Sequence, residues 1–424
     1  MGPRPAEALA SLDRRTRTDG DQAELGVDEL FDDLIPDAIE RHGDLAVAAL
    51  QHLRPRPLAL DVEGEVRSLV LVDDRLEVRA GVAEGAVIVD LSPALLSALG
   101  RQQQSLCAFF VGGLLRTGAR FYDDLVAWDA VWLALLEGWP VVGTVEFLDR
   151  QGAPLDLHRS FTPDDDPAEA AHFLREAGFL HLAGWLDPEA MDAIAADMQR
   201  ALPTYAPGDG RSWWATLADG TERCVRLQRF QEHSPTTTEI LTGDRWEQLR
   251  RTLAGDDELM ARPLTGNAIE ALVKPLAVAK GISDIPWHRD CNLGRHAYGC
   301  CSTTVGISVT DGGAGRGQLR VVPGSHRLLM PSTLAGTDAA WLPALPLPTS
   351  KGDLTVHLSC TLHEAQPPTT AERLVMYTGF GLPDRTGQAA RGSDSDAISQ
   401  IRENVQYTTS QAPSPLATAA GGQR

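Results

Sequence analysis

A chain of 424 residues with 43% hydrophobic and 23% charged residues has enough apolar mass for buried cores and is not a disordered polymer. Its 38 basic against 58 acidic residues leave a formal charge of -20, which argues against non-specific nucleic-acid binding, because that depends on Lys and Arg neutralising phosphates. At about 150 residues per domain the length predicts two or three domains, and the six cysteines fit a reducing compartment better than a disulfide framework.

Taken in order, residues 1–26 are polar and read as a flexible tail, with no apolar stretch of the kind a secretory signal needs. The most apolar window, Leu125 to Val142, is interrupted by Asp129 and Glu137, so no stable membrane insertion is expected and a cytoplasmic location is the default. From Val27 to Leu50 apolar residues recur at helical spacing. Leu58 to Val62, Val66 to Val72, Leu76 to Ala80 and Val87 to Leu91 then read as strands, with Asp73-Asp74 as a tight turn. Ser92 and Pro93 open a helix to Arg101, Phe109 to Leu115 reads as a further strand, and Tyr122 to Glu137 as a long apolar helix. Together these elements predict a small α+β domain over residues 27–150.

The proline-bounded acidic stretch Thr162 to Pro167 marks a break. Asp166-Pro167 and Asp187-Pro188 each open a helix, with Gly178 to Leu182 extended between them. Residues 203–265 mix Trp, Arg and turn residues without a readable period. From Glu270 to Leu382 short strand-like segments alternate with turns, as in a double-layered antiparallel jelly roll closed into a barrel. The second domain is therefore set at residues 160–390. Residues 391–424 read as a polar tail, after a linker at Asp384 to Ser395 and with a short helix at Ala397 to Val405.

The chemistry concentrates in this second region. If residues 286–290 are extended, His288 and Asp290 share a face while Arg289 points away. A second histidine from a distant strand would complete two imidazoles and one carboxylate on one side of an ion, the ligand set of non-haem Fe(II) oxygen chemistry. His363 and His357 are the available partners. The same spacing in His42-Gly43-Asp44 falls on a helix, where residues two apart diverge. Cys291, His296, Cys300 and Cys301 lack the paired C-x-x-C knuckles of structural zinc sites. Pro367-Pro368 forbids an unbroken strand beyond His363, and the hairpin expected there sets Arg373 on the strand beside it.

His288-x-Asp290, Val321-Val322-Pro323-Gly324-Ser325-His326, Gly352-Asp353, Thr361-Leu362-His363 and Arg373 resemble, in order and spacing, the phytanoyl-CoA dioxygenase-like branch of the Fe(II)/2-oxoglutarate oxygenases, over residues 168–385. The resemblance implies His288, Asp290 and His363 as metal ligands, Arg373 as the clamp on the distal carboxylate of 2-oxoglutarate and Lys274 as a further cosubstrate or substrate contact. It implies Fe(II), 2-oxoglutarate and dioxygen as cofactors, and hydroxylation of a small or apolar organic molecule such as a lipid, an acyl thioester or a natural-product intermediate. Desaturation or cyclisation would use the same ligands, and a lipid carrier with a purely structural barrel is the competing class. Two positions depart from the pattern: Gly306 stands where many members place an aromatic residue, and Gly315-Arg316-Gly317 replaces an Asn-Gly turn. Separately, Ala108 to Ala119 resembles the stretch before the final helix of sterol carrier protein-like domains, which implies an apolar, lipid-holding first domain.

Overall fold

The computed structural model describes residues 24–383, apart from 112–114, 116, 118, 256, 282–283 and 294–301. The expected tail up to residue 23, the linker at Asp384 to Ser395, the helix at Ala397 to Val405, Gly112-Gly113 and the trio His296, Cys300 and Cys301 lie outside the described residues.

At the N-terminal end a wide helical turn, Glu29–Leu34, runs into the helix Ile35–Leu53. Strands β1 (Leu58–Val62), β2 (Glu65–Val72), β3 (Arg75–Ala80) and β4 (Val87–Leu91) form one sheet in the order β3-β2-β1-β4, with β1 and β4 parallel. Asp73 and Asp74 turn β2 into β3 at φ of 46° and 60°, a left-handed pair that short Asp side chains tolerate. Ser92 caps the helix Pro93–Gly100 by accepting from the Leu95 N–H.

The strand expected over Phe109 to Leu115 is instead a helix, Leu106–Val111. The buried Asp129 carboxylate accepts from the N–H groups of Leu106 and Cys107 at 2.7 and 2.9 Å, and so caps this helix from another helix, Tyr122–Glu137. Ser105 also caps it locally, accepting from the Ala108 N–H at 3.0 Å, while the run Ala108-Phe109-Phe110-Val111 suits either structure. Leu125, Trp128, Val131, Trp132 and Leu135 are all buried in a common core with the helix Ile35–Leu53 and the sheet. The indole N–H groups of Trp128 and Trp132 are satisfied by the carbonyls of Arg56 and Leu99. This core also takes in Cys291, Leu329 and Cys360, which flank the motif residues further along the chain.

Asp166 and Asp187 cap the helices Pro167–Ala177 and Pro188–Ala201, as the sequence predicts. The remaining strands are β5 (Phe179–Leu182), β6 (Ser212–Leu217), β7 (Glu222–Leu227), β8 (Met260–Ala261), β9 (Glu270–Lys274), β10 (Val278–Lys280) and β11 (Ile285–His288). They are followed by β12 (Ser302–Ser308), β13 (Leu319–Val321), β14 (Leu345–Leu347), β15 (Leu354–Leu358), β16 (His363–Ala365) and β17 (Arg373–Gly381). The larger sheet runs β10-β6-β7-β9-β17-β12-β15-β5, with β8 on one end of β17, and the smaller runs β11-β16-β13-β14. Paired strands in both are antiparallel, the two-sheet arrangement of a jelly roll.

Residues 203–265 hold the hairpin β6–β7 and the helices Pro235–Thr242 and Asp244–Ala254. A register shift between Trp213 and Trp214 breaks the two-residue period there, which is why alternation is unreadable in the sequence. Among the described residues no helix is long and apolar enough to cross a membrane.

Where β17 and β12 meet, a Cβ on Gly379 would collide with the Thr303 carbonyl oxygen. Gly379→Ala should destabilise the protein by about 1–3 kcal/mol through overpacking, read as a lower urea midpoint. An unchanged midpoint would mean that these strands separate freely.

Candidate metal centre

β11 and β16 are antiparallel neighbours, and in their register His288 stands directly opposite His363, with ring centroids 4.1 Å apart. The extended segment ends at His288, and Asp290 begins a short helical turn, Asp290–Leu293. That turn still returns the Asp290 carboxylate to its neighbours: Oδ1 lies 3.4 Å from His288 Nε2 and 3.6 Å from His363 Nε2. The ligand atoms of all three residues lie within 4.8 Å of one another, and among the described residues no other group of three meets this test.

The protons are fixed by the backbone. His288 Nδ1 is 2.7 Å from the Pro286 carbonyl oxygen and His363 Nδ1 is 3.0 Å from that of Thr361, so each Nδ1 carries the hydrogen and each Nε2 keeps its lone pair. Burial, reinforced by the neighbouring His357 and His288, pushes His363 well below the ordinary histidine range and keeps it neutral. Burial alone would raise the Asp290 pKa, but the surrounding histidines outweigh it and hold the carboxyl well below its usual range, hence ionised. Two imidazole lone pairs and a carboxylate oxygen thus converge with no proton to share. A cation among them resolves the repulsion, and nitrogen and oxygen donors on one side suit a borderline ion such as Fe(II). The Asp290 side chain is 32% exposed, so the cluster is open on one side.

The centre is held from behind. Arg289 points away from its two neighbours, as expected, and is buried. It donates from Nε to the Cys360 carbonyl at 2.9 Å and from Nη2 to those of Ser325 and Met330 at 3.0 Å each, joining three loops around the site. Thr304 on β12 donates to Asp290 Oδ2 at 2.8 Å, and His357 on β15 places Nε2 3.4 Å from the same oxygen. Neither contact is legible in the sequence, because both depend on pairing between distant strands.

Several motif residues are structural. Ser325 accepts from the Leu362 N–H at 2.8 Å, and His326, buried and pushed down to about 4 by that burial, contacts the Arg175 carbonyl at 2.8 Å. Gly178 ends the helix Pro167–Ala177 at φ +84°, where a Cβ would lie 2.5 Å from both His326 and Thr361. The Asp353 carboxylate takes the N–H groups of Gly184 and Ser350 at 2.8 Å each and contacts His181 at 3.1 Å, which ties β5 to β15. His42-Gly43-Asp44 lies within the helix Ile35–Leu53, and His42 bonds to the Leu135 carbonyl at 3.0 Å.

The placing expected for Arg373 is corrected. It is not on a strand beside His363, because β16 lies in the smaller sheet and β17 in the larger. After His363 the chain crosses between the sheets instead of folding back as a hairpin. β15 and β16 are likewise separate strands in different sheets, yet the His357 and His363 rings come within 4.0 Å. Arg373 pairs in register with Lys274 on β9, and both are buried. Arg373 Nη1 donates to the Gly317 carbonyl at 2.6 Å, its Nε has no partner, and Lys274 Nζ donates to the Gln366 carbonyl at 2.7 Å. A Cβ on Gly312 would lie 2.9 Å from the guanidinium, so the glycine-rich turn makes room for it. The buried guanidinium, with the Lys274 amine as a second donor beside it, forms a receptor for an anion. At Gly306 the aromatic bulk comes from across the strand: Tyr377 faces it, and a Cβ there would lie 3.0 Å from the ring.

Residues 174–374 match the model of the family described as Phytanoyl-CoA dioxygenase (PhyH). No curated protein matches the chain. Solved structures similar to it include the non-haem alpha-ketoglutarate-dependent epimerase SnoN from nogalamycin biosynthesis, at 24% identity over 51% of this chain and 84% of that one, with a TM-score of 0.39. AviO1 from Streptomyces viridochromogenes Tue57 is 22% identical over 53% and 98%, with a TM-score of 0.41. The carbocyclase SnoK is 19% identical over 56% and 91%, with a TM-score of 0.40.

Lys274 supplies a stability test. Burial first, and then the charge of Arg373, bring its pKa from 10.5 to about 7. Between those values the unfolded chain binds the proton and the folded chain does not, so stability rises with pH across that window and is lost as pH falls toward 7. Urea unfolding of the wild type and of Lys274→Met at pH 7 and pH 9 should show the wild type gaining on the variant at the higher pH. A difference independent of pH would contradict the burial of a neutral amine.

Proposed function

We propose that this chain is an oxygenase that uses iron and 2-oxoglutarate to oxidise a small organic substrate, most simply by hydroxylation, a reading supported by the match of residues 174–374 to the phytanoyl-CoA dioxygenase family model. The observation that carries the reading is the convergence of the donor atoms of His288, Asp290 and His363, together with the buried pair Arg373 and Lys274 on neighbouring strands. In this reading the three residues hold iron, and the open side admits cosubstrate and dioxygen. When bound, iron and 2-oxoglutarate supply the oxidising power: dioxygen is consumed, the cosubstrate loses carbon dioxide to become succinate, and the organic substrate is oxidised.

The protein's own residues then have distinct tasks. The carbonyls of Pro286 and Thr361 keep both histidines in the ligating tautomer. Arg373 receives the distal carboxylate of 2-oxoglutarate in paired hydrogen bonds, and Lys274 adds a hydrogen-bond donor beside it. Arg289 fixes the backbone that bears the ligands. Desaturation and ring closure would need the same ligands, so the outcome depends on how the substrate is held. A carrier without chemistry would have no use for converging lone pairs or for a buried guanidinium paired with a buried amine. In this reading the catalytic unit spans residues 160–390, and residues 27–150 are a separate α+β unit whose core takes in Cys291, Leu329 and Cys360.

Anaerobic addition of Fe(II) and then 2-oxoglutarate should produce a visible charge-transfer band, absent in His288→Ala and His363→Ala. A wild type without the band would refute the oxygenase reading. Arg373→Ala should weaken 2-oxoglutarate binding by about 2–5 kcal/mol, the usual cost of removing one side of a buried charged pair, and Arg373→Lys should recover part of it. An unchanged requirement in both would remove Arg373 from the site.

A further inference from the structure

His357 is the buried polar group that the proposed function leaves without a task. Its side chain is 1% exposed, and neither ring nitrogen has a hydrogen-bond partner. A buried imidazole so placed gives up its solvation for nothing unless a partner is supplied by a small rotation or by the filled site. The surroundings show which partner that is.

β15 pairs with β12, and His357 stands opposite Thr304. The Thr304 hydroxyl donates to Asp290 Oδ2 at 2.8 Å, and His357 Nε2 is 3.4 Å from that oxygen without hydrogen-bond geometry. The other oxygen, Oδ1, is the one that faces Nε2 of His288 and of His363. The carboxylate is thus divided: one oxygen looks to the two histidine donors and the other to the strand wall. His357 lies outside the group whose donor atoms can share an ion, so a role as a fourth ligand does not fit.

We propose that His357 is a positioning residue that turns an Nε2–H to Asp290 Oδ2 and, together with Thr304, holds the carboxylate to the metal through a single oxygen. The inference rests on the proposed ligand triad and deepens it. A carboxylate free to bind through both oxygens would fill a position that the cosubstrate or dioxygen needs, and a donor on Oδ2 prevents this. Outer contacts of this kind orient a ligand without touching the ion.

Co(II) added to the full-length protein without oxygen is a suitable probe, because its visible spectrum reports coordination number with no turnover. The triad requires that the wild type bind one Co(II) and that His288→Ala bind none; failure here would sink the triad itself. With that established, His357→Phe, which keeps an aromatic ring and removes the donor, should still bind Co(II). Its visible bands should weaken as coordination rises, and 2-oxoglutarate should bind the Co(II) protein about 10–100-fold less tightly. His357→Gln, which keeps a donor, should restore both. Thr304→Val should shift the spectrum in the same direction, and it tests the same oxygen from the other strand should His357→Phe not fold. Wild-type spectra and cosubstrate affinity in His357→Phe, or in Thr304→Val if that alone folds, would overturn the inference. So would loss of Co(II) altogether in both His357 variants, which would make His357 a ligand.

Discussion

An ionised carboxylate and two imidazole lone pairs directed at one another, with no shared proton, form an arrangement that a protein interior tolerates only around a cation. The surrounding strands and loops are organised to sustain it. The β11–β16 register sets the two histidines face to face, and the turn after β11 returns Asp290 to them. Backbone carbonyls assign the protons, and Arg289 ties the loops of Cys360, Ser325 and Met330 into one frame behind the ligands. Removing any of these leaves the donors free to relax apart.

The second organised feature is the buried pair of Arg373 and Lys274. Arg373 and Lys274 come from neighbouring strands of the larger sheet, whereas His288 and His363 come from the smaller. Metal donors and anion receptor are therefore carried by different layers. The spacing between them is set by the packing of the two layers and not by any one loop. A dicarboxylate that must reach an ion with one end and a guanidinium with the other would read that spacing directly. The first unit contributes as well, because Cys291 and Cys360, on the segments that bear Asp290 and His363, are buried in its core.

Much of this was legible in the sequence wherever the signal was local. The Asp-Pro helix starts at Asp166 and Asp187, the Asp73-Asp74 turn and the strands around it each follow from neighbouring residues, and His288 and Asp290 do converge, although Asp290 lies on a helical turn and not on the extended run expected. What could not be read depends on contacts distant in sequence. The helix Leu106–Val111, where a strand was expected from Phe109 on, takes a cap from the distant Asp129 as well as from Ser105, and the register break at Trp213 hides the hairpin β6–β7. Arg373 was expected beside His363 and lies in the other sheet, because a proline-rich link permits a crossover as readily as a hairpin. Thr304 and His357 reach Asp290 only through strand pairings that no local pattern encodes.

The account's central claim is one ion held by three named atoms, and diffraction tests it most directly. Crystals grown anaerobically with Fe(II) and 2-oxoglutarate should give a single strong anomalous peak at the iron edge, within bonding distance of His288 Nε2, one oxygen of Asp290 and His363 Nε2. Cosubstrate density should run from the peak to Arg373. A peak elsewhere, or none at these three residues with iron in excess, would contradict it.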